Sequence, residues 1–128
     1  LTSRDTKMNL MIKGGNKNQR KLAKKVVNYC LIPMNMSRLR RLNISMSIKK
    51  MNNCHGFCSE ESNKRREYTI VIANNYNTIR EFIETIAHEM AHVKQYICGG
   101  WNDEQEAEDD AEHWEKRIAD DMWEKNLI

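Results

Sequence analysis

The sequence predicts an α+β domain, and its apolar patterning is the reason. Leu42, Ile44, Met46 and Ile48 alternate with Asn43, Ser45, Ser47 and Lys49, the period of a strand with one buried face. Tyr68 to Ala73 (YTIVIA) is a second, more uniformly apolar β-rich run. Three further stretches carry apolar residues at helical spacing. The expected architecture is a small, antiparallel-containing sheet packed on an N-terminal helix, followed by a mid-chain helix and an acidic C-terminal helix.

Residues 1–16 show no sustained period and end at Gly14-Gly15, so they read as a loose N-terminal arm before a single domain over 17–128. From Lys17 to Leu31, Leu22, Val26, Tyr29 and Cys30 recur at helical spacing until Pro33 stops the pattern. The two strands are joined by a polar loop from Asn52 to Glu67 and read as a long-looped antiparallel hairpin. Thr78-Ile79-Arg80-Glu81 matches a capping box, and Ile79, Phe82, Ile83, Ile86, Met90 and Val93 carry a helix to Gly99-Gly100. Asp103 opens a third helix whose stripe is Ala107, Ala111, Trp114, Ile118 and Met122.

Length and composition narrow the classes of function. The 128 residues, 40% apolar and 30% charged, suffice for one core but not for two full-sized domains. No apolar run approaches the roughly 18 residues a membrane-spanning helix requires, so no membrane partner is expected. The start lacks the order of a secretory signal, which makes a cytoplasmic location the expectation, host cytoplasm if the source is viral. Charge is segregated: residues 1–80 hold 17 Lys and Arg against 4 Asp and Glu, while residues 81–128 hold 4 against 14. The basic half could attract nucleic acid, or neutralise the acidic helices, or be a solvated surface, as Arg38 to Arg41 and Lys64-Arg65-Arg66 read.

The chemistry-bearing motif is His88-Glu89-Met90-Ala91-His92, an H-E-x-x-H sequence. Two His four positions apart lie about 40° apart around a helix, so both imidazoles can hold one Zn²⁺ while the Glu between them reaches a metal-activated water as general base. At this composition the motif arises by chance about once in a hundred such chains. A catalytic zinc takes a third protein ligand. Glu106, beside the stripe residue Ala107, is the expected one, with Asp110 a turn on to orient a ligand His. His113 is the next candidate, as ligand or oxyanion donor, and Glu108, Asp110 and Glu112 follow. Tyr96 and Tyr76 are further candidates for an oxyanion donor.

His88 to His92, the stop at Gly99-Gly100 and Glu106-Ala107-Glu108-Asp109-Asp110-Ala111 resemble the zincin metallopeptidases of the gluzincin kind. Ala87 to Gly99 (AHEMAHVKQYICG), with the preceding YTIVIA, is particularly similar to small phage-encoded and SprT-like metallopeptidases. The resemblance spans roughly residues 40–115. It implies a minimal zincin fold and a zinc-dependent hydrolase acting on a peptide or protein, with the strand Tyr68 to Ala73 as the platform for an extended substrate. SprT proteins usually draw a third His from a downstream H-G segment, which this chain lacks, so that ligand set does not transfer. Rival expectations are a nucleic-acid-associated protein on a zincin scaffold and a catalytically silent zinc protein.

Of the four cysteines, Cys30 and Cys98 read as buried hydrophobes. Cys54 and Cys58, flanking His55, read as loop packing, with a disulfide or a second metal as alternatives. Trp114 reads as core, and Trp101 as a cap on the active helix or a wall of the cleft.

Overall fold

The computed structural model describes residues 8–39, 41–61, 66–101 and 103–128. Arg40, Lys64 and Arg65 of the two basic clusters, and residues 1–7 of the expected arm, lie outside the described residues.

Seven elements follow in order: β1 (Met8–Gly14), α1 (Lys17–Cys30), β2 (Leu42–Lys49), β3 (Gly56–Glu60), β4 (Glu67–Ala73), α2 (Ile79–Ile97) and α3 (Glu104–Glu124). The sheet order is β1-β2-β4-β3. The β1-β2 and β2-β4 pairs are parallel, and β3 runs antiparallel to β4. The α+β class holds, with a mixed four-stranded sheet.

Two expectations about the sheet are corrected. β2 and β4 do not form an antiparallel hairpin: Ile44 pairs with Tyr68 and Met46 with Ile70 in parallel register. The connection over residues 50–66 exceeds the dozen or so residues a parallel return needs, and it contributes a strand of its own, β3, on the far side of β4. The near-continuous apolar run of β4 therefore marks a strand inside the sheet rather than one arm of a hairpin. The second correction concerns residues 8–14, which are not loose. Met8, Leu10 and Ile12 point to the core and pair in register with β2, making β1 an edge strand. The outward Met11, 73% exposed, disguises the alternation.

The helices begin where polar side chains satisfy their free amides. Asn16 and Gln19 form a reciprocal capping box on α1. Thr78 Oγ1 accepts from the Glu81 amide at 3.1 Å, while the Glu81 carboxylate turns to the Asn77 amide and to His55. Asp103 caps α3. α2 stops in a Schellman motif: the Gly99 amide bonds to the Tyr96 carbonyl at 3.2 Å and the Gly100 amide to the Gln95 carbonyl at 2.7 Å, with Gly99 at φ +96°.

One apolar cluster joins α1 (Val26, Val27), the inner sheet face (Ile44, Met46, Ile70, Ile72), α2 (Phe82, Ile86, Met90) and α3 (Trp114, Ile118). α3 packs chiefly on α2, which places the acidic helix beside the H-E-x-x-H turn. Met34, Met36, Met46, Met90 and Met122 fill this core, as their flexibility suits. Cys30 is buried as expected, but Cys98 is the exposed cap residue of α2, because the helix ends before its side chain can turn inward. All four cysteines are free. Among the described residues, no helix is long and apolar enough to cross a membrane.

Candidate metal centre

His88 and His92 stand one turn apart on the face of α2 that meets α3, with ring centroids 4.9 Å apart. Glu108 of α3 reaches both: one carboxylate oxygen lies 3.0 Å from His88 Nε2 and the other 3.1 Å from His92 Nε2. Ligand atoms of these three residues all lie within 4.8 Å of one another, the one such group of three or more among the described residues. A tetrahedral zinc with bonds of about 2.0–2.1 Å needs donors roughly 3.4 Å apart. The two Glu108–imidazole separations, 3.0 and 3.1 Å, lie within a few tenths of an ångström of that spacing, and nitrogen and oxygen donors are the types zinc prefers.

The expected third ligand, Glu106, is not in this group. It is exposed, and so is His113, whose ring meets the edge of Trp114. Residues two apart on a helix differ by about 200°, so Glu106 and Glu108 flank the apolar stripe on opposite sides. The flank facing the imidazoles is that of Glu108. A signal for it was present: Glu108, Ala111 and Glu115 follow i, i+3, i+7 spacing, which stacks both carboxylates along one edge of the stripe.

The outer nitrogens of the rings are also held. Glu115 Oε1 lies 3.0 Å from His88 Nδ1, and Gln95 Oε1 lies 2.8 Å from His92 Nδ1. Gln95 Nε2 donates to the Ala107 carbonyl at 2.9 Å and to Asp110 Oδ2 at 3.0 Å. A carbonyl can only accept, so the amide orientation is fixed and its oxygen must receive a proton from His92 Nδ1. Both rings thereby turn Nε2 toward Glu108, the nitrogen left free to serve as a metal donor. Asp110, expected to accept a proton from one of these His directly, instead contacts Gln95 Nε2, and Gln95, which touches His92, was missed by the sequence reading together with Glu115.

Glu89 and Gln95 are the buried polar residues among those described, 5% and 7% exposed. Burial lifts the Glu89 carboxyl to about 7, against the opposing pull of His88. Burial disfavours the charged form of His88, but the hydrogen bond to Glu115 and the nearby carboxylates outweigh it and raise its pKa.

The site opens on a cleft of about 630 Å³. β3 forms one wall, α2 the floor, and Trp101 with the start of α3 the other wall. Gly56 lets β3 approach α2: a Cβ there would lie 2.9 Å from the Val71 carbonyl and 3.0 Å from Thr85. Tyr96 and Trp101 line the cleft, and Tyr76 does not, being packed on Phe82 and bonded to Gln19. Cys58 also lines it, and burial pushes its thiol pKa up, favouring the neutral form. His55 pairs with Glu81 at 3.2 Å instead of building a second metal group with the cysteines.

The model of the SprT-like family matches residues 18–119, from α1 through most of α3. The chain belongs to the SprT-like family. SprT-like proteins are zincin-like and metallopeptidase-like, which agrees with the H-E-x-x-H helix and the His88, His92, Glu108 group. Neither among curated proteins nor among solved structures does any significantly match this SprT-like chain.

Proposed function

We propose that the protein is a zinc-dependent peptidase in which His88, His92 and Glu108 hold the ion and Glu89 is the general base. The observation that supports this most is a buried, cleft-lining carboxylate on the same helical turn as two imidazoles that share a third donor from α3. When bound there, Zn²⁺ supplies a Lewis acid that polarises a carbonyl and lowers the pKa of a water to about 7. Glu89 takes the proton of the attacking water and passes it to the leaving amine. Glu115 and Gln95 keep the imidazoles in the tautomer that leaves Nε2 free. Tyr96, a turn beyond His92, is the donor best placed to meet the developing oxyanion.

The platform for an extended substrate is β3 rather than the strand Tyr68 to Ala73. β4 has both edges occupied, by β2 and β3, whereas β3 ends the sheet and its backbone from Gly56 to Cys58 lines the cleft. The lining includes Glu104 and neither Lys nor Arg, so it offers no basic side chain to hold a phosphodiester backbone. Any nucleic-acid contact would belong to α1, whose Lys17, Lys21 and Lys24 form no ion pair among the described residues. Salt-sensitive DNA binding that ignores His88 would point there.

The Glu89→Gln variant tests the peptidase reading. It is expected to keep zinc and lose hydrolysis of unfolded protein by at least about a hundredfold. Zinc-loaded wild-type protein that cleaves no peptide or unfolded protein would favour a purely structural metal.

A further inference from the structure

Beside the metal group, the cleft has an aromatic half of which the proposed chemistry uses only the Tyr96 hydroxyl. Tyr96, one turn past His92 and 39% exposed, is backed by the buried ring of Tyr68 at a centroid distance of 5.9 Å. Trp101, 48% exposed, faces it from the segment after the helix stop, and Ala107 adds a small apolar surface on α3. Large aromatic faces left in water next to a reactive centre mark a binding surface.

Gln95 links the backbone that leads to Trp101 to the metal site. The Gln95 side chain bonds to His92, and its carbonyl receives the Gly100 amide that precedes Trp101. The backbone that precedes Trp101 and the orientation of the His92 imidazole therefore share Gln95 as a partner. The charge of the lining adds a second constraint, since Glu104 stands in it beside the aromatic half and neither Lys nor Arg is among the lining residues.

We propose that Tyr96, Trp101 and Ala107 form a subsite for a bulky apolar side chain, aromatic or Leu-like, of an extended peptide that carries no acidic residue beside it. The proposal rests on the peptidase reading and deepens it by naming the substrate class. The peptide backbone runs along the free edge of β3, and one side chain turns across the cleft to lie on Tyr96 and Trp101. An aspartate in that position meets the Glu104 carboxylate and is disfavoured.

The test uses zinc-loaded Glu89→Gln protein and three short peptides that differ only in a central Phe, Ala or Asp, with affinity read by calorimetry. The Phe peptide is expected to bind about tenfold tighter than the Ala peptide, the return for burying most of one aromatic side chain. The Asp peptide binds weakest. Adding Trp101→Ala cuts the preference for Phe to about threefold or less, while Trp101→Phe, which keeps an aromatic face, retains most of it. Equal affinity for the Phe and Ala peptides, or a preference that survives Trp101→Ala, overturns the subsite. The two readings fail separately. Wild-type protein that cleaves the Phe and Ala peptides equally well removes the subsite and leaves the peptidase. Wild-type protein that cleaves neither, while the binding preference persists, supports the subsite and removes the peptidase.

Discussion

Glu108 and Glu115 stand two turns apart on one edge of α3 and address opposite nitrogens of the same ring, each at 3.0 Å from His88. One carboxylate supplies a donor to the metal group and the other fixes the tautomer that leaves Nε2 available. Because Glu115 acts only through His88, Glu115→Gln should weaken zinc binding by about ten- to a hundredfold without abolishing it. Competition with a fluorescent chelator reads this directly, and unchanged affinity would show that Glu115 does not orient the ring.

Gln95 carries the matching role for His92 and joins α2 to α3 at the Ala107 carbonyl. Gln95→Leu, similar in volume, strands the N–H of a partly buried imidazole and a carbonyl. We expect a loss of about 1–3 kcal/mol in urea unfolding of the metal-free protein, with weakened zinc affinity. Gln95→Glu should be milder for zinc, since a carboxylate still accepts from Nδ1.

The fold was legible where one face of an element is dry. The three helices and β2 show their periods plainly, because Val26, Ile44, Ile86 and Ile118 are wholly buried while their polar neighbours are not. β1 and β3 were not legible. Each is a short edge strand, where outward residues such as Met11 and Phe57 blur the alternation. The parallel pairing of β2 with β4 depends on where β3 inserts, which no local pattern states. At the site, His88, Glu89 and His92 are fixed by a single helical turn and could be read directly. Choosing Glu108 over Glu106 requires knowing which flank of the α3 stripe faces α2, a tertiary fact. Gln95 looked like an ordinary polar helix residue until the close approach of α3 buried it.

Gly56 sets how close β3 comes to the active helix. Gly56→Ala drives a methyl against the Val71 carbonyl, which is backbone and cannot swing aside. Overpacking of this kind costs about 1–3 kcal/mol, so the melting temperature should fall, and peptidase activity should fall with it as the β3 wall moves. An unchanged melting temperature would mean the strand adjusts freely.

Gly99 isolates a backbone effect. No atom lies within 4 Å of a Cβ added there, so Gly99→Ala is resisted only by its φ of +96°. A cost of about 1–2 kcal/mol is expected, with zinc affinity essentially unaltered. A large drop in zinc affinity would show that the helix stop positions His92 more strongly than the hydrogen bonds indicate.

The central claim is that His88, His92 and Glu108 together hold the ion. Zinc content after dialysis, measured on wild-type protein and on the Glu106→Ala and Glu108→Ala variants side by side, tests it most directly. The account predicts that wild type and Glu106→Ala retain stoichiometric zinc and that Glu108→Ala loses it, with circular dichroism showing all three folded. Zinc retained by Glu108→Ala and lost by Glu106→Ala would contradict it.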